Sequence, residues 1–135
     1  MSYKIDKIEG IGPAMSEKLG QAGIATTDDL LDKCASKKGR VDTAAATGIS
    51  ETYLLKWANK ADLMRVSGIG EEYSDLLEVS GVDTVKELRN RNAENLAAKM
   101  KEVNDVKKLT RALPSADVVG RWIEQAKTME PIISH

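Results

Sequence analysis

The sequence predicts an all-α protein of two pseudo-symmetric halves, packed as one compact unit of short helices. Three observations carry that prediction. The chain repeats itself with glycines in register, helix starts and stops recur along it, and no segment alternates apolar and polar residues with the period of a strand.

The repeat is found by sliding the sequence on itself by 58 positions. IEGIGPAMSEKLGQAGIATTDDL (8–30) then lies on VSGIGEEYSDLLEVSGVDTVKEL (66–88). Gly10, Ile11 and Gly12 fall on Gly68, Ile69 and Gly70, and Gly23 falls on Gly81. Each matched glycine implies a backbone requirement. A second match, at a shift of 65, lays ISETYLLKWANKADLM (49–64) on PSADVVGRWIEQAKTM (114–129), pairing Trp57 with Trp122. The difference places a seven-residue insertion in the second copy, between residues 89 and 113. The halves are therefore read as 1–63 and 64–135. Two copies are too few for an open solenoid, which favours a closed pair.

The elements follow in order. Pro13 suits the first residue of a helix. Met15, Leu19 and Ala22 share one face, and Gly23 stops the helix. Thr26 with Asp29 resembles a capping box, and Thr84 with Glu87 has its full sequence form, so short helices are expected near 27–35 and 85–91. Asn92 should cap a helix to about Val103, with residues 38–47 as its poorer counterpart. Ser50 and Ser115 cap the Trp-bearing helices. The first of these is expected from Glu51 through Arg65, with Leu54, Trp57, Ala58, Ala61 and Met64 as its apolar stripe.

Composition narrows the function. The chain has 135 residues, 41% of them hydrophobic, with no Phe. An aliphatic core is expected. No apolar stretch is long enough for a membrane span, and the N-terminus lacks the apolar segment of a signal peptide. Cys34 is alone, so no internal disulfide forms. A cytoplasmic setting is expected. The formal net charge is −1, and the halves carry similar balances. Any basic footprint must come from local clustering. His135 is the only histidine and the last residue, which excludes His-dependent triads and His-rich metal sites. Neither GxxxxGK[ST] nor GxGxxG is present. No enzymatic activity and no cofactor are expected.

IEGIGPAMSEKL and VSGIGEEYSDLL resemble the helix-hairpin-helix motif, in which a Gly-hydrophobic-Gly turn joins two helices. The downstream Gly-Val-Asp-Thr-Val-Lys-Glu-Leu and the late Trp are similar to an uncharacterised bacterial tandem helix-hairpin-helix family, catalogued as a domain of unknown function. The resemblance covers most of the chain and is strongest from Leu63 to Met129. It implies that Gly10, Ile11, Gly12 and Gly68, Ile69, Gly70 contact nucleic-acid phosphate. The physics is that of free N–H groups converging on an anion at a turn and helix N-terminus, with no base being read.

The residues also support a purely structural reading, in which the glycines make a tight turn and Ile11 and Ile69 plug the core. Copy one puts no charge at Pro13 or Ala14, and Lys18 lies one turn deeper. Copy two places Glu71 and Glu72 where a phosphate would sit, and there the structural reading prevails. Lys107, Lys108, Arg111 and Arg121 form one basic group, and Lys33, Lys37, Lys38 and Arg40 another. Either could release counterions from nucleic acid, although charge runs are more often solvated surface. Trp57 and Trp122 sit on apolar stripes, which favours core packing over base stacking. Cys34 reads as a small buried hydrophobe. Two functions follow. One is a non-catalytic module that binds DNA or another nucleic acid through its backbone, without sequence preference. The alternative is a protein-interaction or scaffold module that keeps the fold without the phosphate site.

Overall fold

A computed structural model describes residues 2–135. A single 3-10 turn (Ile5–Lys7) precedes α1 (Pro13–Gln21), α2 (Thr27–Cys34), α3 (Lys37–Thr47) and α4 (Glu51–Leu63). The chain continues through α5 (Glu71–Val79), α6 (Val85–Leu88), α7 (Ala93–Lys107) and α8 (Ala116–Lys127). Among the described residues there is no strand, only an isolated antiparallel bridge between Lys4 and Thr26. No described helix is long and apolar enough to cross a membrane.

Local chemistry accounts for most helix starts. Thr26, Ser36, Ser50, Thr84, Asn92 and Ser115 each accept a hydrogen bond from an N–H of the helix they cap. The two capping boxes are the reverse of the expectation. Thr26 and Asp29 form both bonds of the box. Thr84 accepts from the Glu87 N–H, but the Glu87 carboxylate turns to Arg91 at 2.7 Å instead.

Three helix ends also differ from expectation. α4 stops at Leu63, two residues before Arg65, because Arg65 and Val66 donate to Asp62 and Leu63 in a tighter 3-10 pattern. α6 ends at Leu88 rather than near 91, and α7 runs past Val103 to Lys107. The extra length in the second copy is divided. α7 has 15 residues where α3 has 11. Residues 108–114 then precede the cap Ser115, where only Gly48 and Ile49 precede Ser50.

α4 is the central element. It packs against α2 and α3 of the first half and α5 of the second. α7 and α6 pack on α8, and α5 on α7. Buried side chains form two clusters. The first holds Ile8, Leu19, Ile24, Leu30, Leu54 and Trp57, and the second Ile69, Leu76, Leu77, Leu88, Met100 and Trp122. The end of α4 serves both, since Met64 belongs to the first cluster and Leu63 to the second. Both tryptophans are core residues, as their stripes predict.

Polar contacts bind the two clusters together. Buried Lys60 on α4 pairs with Asp75 on α5 at 2.9 Å. Buried Asp62 accepts from the Val85 N–H at 2.8 Å and from Arg65 at 2.6 Å. Arg65 also donates to the Glu130 carbonyl at 3.2 Å. The C-terminal segment then returns to the first half. There Ile133 packs on the first cluster and the Ser134 N–H donates to the Ala35 carbonyl at 2.9 Å. Arg40 is drawn under this segment, donating to the Cys34, Ala35 and Ser134 carbonyls.

Candidate nucleic-acid interface

The first turn is built on Ile8, whose carbonyl accepts from the Ile11 N–H at 3.1 Å. Closing that bond puts Gly10 at φ +97°, a conformation side chains resist. A Cβ at Gly10 would also meet Trp57 Nε1 at 3.3 Å. Ile11 plugs the core, only 4% exposed. Gly12 is different. Its φ of −87° and ψ of −174° are ordinary extended backbone, and a Cβ there would meet nothing within 4 Å. Neither torsion nor packing demands this glycine.

The helix behind it has no side-chain cap. Pro13 at the first position has no N–H to satisfy. Among the described residues, no protein acceptor meets the N–H groups of Gly12, Ala14 or Met15, while Ser16 bonds back to the Gly12 carbonyl at 2.9 Å. Gly12, Pro13 and Ala14 are exposed and uncharged. The helix dipole and free amides therefore face solvent through a gap that a side-chain cap would otherwise fill.

The second turn reproduces this backbone. Ile69 donates to the Val66 carbonyl at 3.1 Å, and Gly68 sits at φ +96° with Trp122 Nε1 3.0 Å from its would-be Cβ. Gly70 is extended and again has open space where a side chain would go. The surroundings differ. Glu71 and Glu72 occupy the first turn of α5, and residues 110–112 fold over it. Thr110 Oγ1 donates to Glu72 at 3.0 Å, and Tyr73 Oη donates to the Ala112 carbonyl at 2.7 Å. A cavity of about 480 Å³ remains, walled by this loop, the second turn, and Tyr3 and Lys7 from the N-terminal segment.

The expected cations are scattered rather than gathered at one turn. Lys18 sits in the last turn of α1, in a groove with Gln21, Ala46 and Thr47, away from Gly12. Lys107 is the exposed last residue of α7. Lys108 takes a left-handed conformation at the helix end and faces a concavity shared with Glu9, Glu71, Glu72 and Asp75. Arg111 alone of this group reaches a glycine turn, at the wall of the 480 Å³ cavity. Arg121 lines a separate groove with Glu94, Asp117 and Glu124. Of the second group, Arg40 is buried and bonded to carbonyls, so it is withdrawn from solvent. Cys34 is fully buried, and that burial raises its thiol pKa above the ordinary value. Lys7 went unread in the sequence. The Tyr3 and Ile5 backbone bonds to residues 25–27 deliver it to the second turn, and no local pattern signals that.

The fold and its turns define a class: an all-helical protein with two Gly-Ile-Gly turns, each opening a helix that lacks a side-chain cap. Within that class the chain belongs to the family described as a domain of unknown function (DUF4332), whose sequence profile matches residues 9–129. No curated protein and no solved structure matches the chain.

Proposed function

We propose that this protein is a non-catalytic tandem helix-hairpin-helix module that binds nucleic acid through its phosphate backbone, with the first turn as the principal contact. The observation that carries the reading is Gly12. Every α-helix apart from α1 and α5 starts behind a side-chain cap, and the glycine at α1 answers to neither torsion nor packing. What it does is keep the N–H groups of Gly12, Ala14 and Met15 open to an anion, at a helix end with no acidic residue in its first turn. Such contacts hold a strand without reading its bases.

A second reading, a protein-interaction module, draws support from the second turn, where Glu9, Glu71, Glu72 and Asp75 line one concavity. Titration of labelled duplex and single-stranded DNA across a salt series separates the two. The phosphate reading predicts that log K falls linearly with log salt. Absence of binding at low salt and high protein concentration would falsify it.

A further inference from the structure

The cavity at the second turn has features that a phosphate site does not explain. Its wall is fixed rather than draped. Asn104 Oδ1 accepts from the N–H groups of Leu109 and Thr110 at 2.8 and 3.0 Å, and Asn104 Nδ2 donates to the Thr110 carbonyl. Tyr73 is held by its hydroxyl bond to Ala112 and lies 5.2 Å from the Trp122 ring. Tyr3 and Lys7 also line the cavity, and their segment is anchored through the Tyr3 N–H to Thr27 Oγ1 at 3.1 Å.

The charged side chains lining this cavity are exposed and balance in number without pairing, and Glu71 and Glu72 also border the concavity that Lys108 faces. Lys7 and Arg111 contribute two cations, and Glu71 and Glu72 two carboxylates. Among the described residues, no ion pair joins any of them to another group. Glu72 is engaged only by the Thr110 hydroxyl. The N–H groups of Gly70 and Glu71 likewise meet no protein acceptor. An anion alone would face both carboxylates, and a cation alone both basic side chains. A ligand carrying both signs satisfies all of them.

We infer that this cavity binds a small zwitterion of dipeptide size with apolar side chains. Its carboxylate lies toward Lys7, Arg111 and the free amides before α5. Its ammonium lies toward Glu71 and Glu72, and its apolar groups lie against Tyr3 and Tyr73. The volume suits such a ligand, and ligand cavities of this kind combine a mainly apolar lining with a few polar anchors. This site is independent of the phosphate reading at the first turn.

The test follows the amide resonances of Gly68, Gly70 and Tyr73 in the isotope-labelled full chain. The probes are leucyl-phenylalanine, its N-acetyl form, its C-terminal amide, and deoxyadenosine monophosphate. The expected result is a saturable shift with the free dipeptide at millimolar concentration, weakened about tenfold by blocking either end, as loss of a charge-assisted contact predicts. Lys7→Ala with Arg111→Ala should weaken the dipeptide similarly, and so should Glu71→Gln. These side chains are exposed, and thermal melts check that the variants fold. Three results overturn the inference: no saturable shift, blocked and free dipeptides binding alike, or the mononucleotide binding as well as the free dipeptide.

Discussion

The two glycine turns share a backbone and differ in what surrounds it. Each has a left-handed first glycine, a buried isoleucine and an extended second glycine before an uncapped helix. Even the closing bonds agree, with the N–H groups of Ser16 and Ser74 each 2.9 Å from the second glycine's carbonyl. Yet the first turn opens onto solvent past Pro13 and Ala14. The second opens onto Glu71 and Glu72 under a loop pinned by Asn104. The lesson is that the turn is a folding device first. What it faces is decided by the two residues after the second glycine and by whatever the rest of the chain lays over them.

The sharpest break between the copies lies two helices further on, in α3. A Cβ at Gly39 would stand 1.9 Å from the Lys33 carbonyl oxygen, because α2 runs on to Cys34 directly beneath the start of α3. The corresponding position after the cap Asn92 is Asn95, which is exposed, since α6 ends early at Leu88. Gly39→Ala is expected to cost about 3 kcal/mol in denaturant unfolding, the upper range of overpacking, while Asn95→Ala changes stability by only a few tenths. Equal effects would erase this difference between the copies.

Gly10→Ala and Gly68→Ala come next, at about 2 kcal/mol each, because both combine a positive φ with a tryptophan ring in the way. The Gly68 variant should be the worse, its contact being 3.0 Å against 3.3 Å. Thermal melts of the two variants would show the order.

The second glycines test function without disturbing the fold. Asp is a good N-cap, so Gly12→Asp should hold or slightly raise stability. It also places a carboxylate where a phosphate would bind. DNA affinity should fall about tenfold, roughly 1.4 kcal/mol, whereas Gly70→Asp should change it less than twofold. Equal losses measured by fluorescence anisotropy would contradict the ranking of the turns.

The smallest effect is acid fraying. The N–H groups of Ala25 and Thr26 hold the Asp29 carboxyl below its usual pKa of 3.8. A lowered folded-state pKa stabilises above the unfolded value and is lost as pH falls through the folded one. The start of α2 should therefore loosen below about pH 4. α6 lacks the second bond of the box and should lose no such contact. Amide exchange at Asp29 and Glu87 across that range would show whether the asymmetry is real.

Most of the helices were legible because their signals are local. A serine or threonine cap, a proline at the first position and a glycine after the last turn act within four or five residues. The boundaries that failed, at Leu63, Leu88 and Lys107, lie where 3-10 tightening or tertiary packing competes with helix propensity. The glycine turns were equally plain. Their neighbours were not, because Lys7 and Arg111 are carried by segments whose contacts span tens of residues.

The sequence by itself therefore determined an all-α chain with a repeated Gly-Ile-Gly turn, a core stripe carrying each tryptophan, and a first helix with no acidic residue in its opening turn. Only the tertiary structure decided that Gly39 is sterically obligatory, that Arg40 is sealed under the C-terminal segment, and that Lys7 and Arg111 meet at the second turn rather than the first. The physical reason is range. Backbone torsion and capping are settled by adjacent residues, while burial and charge environment depend on which distant segments the fold brings together.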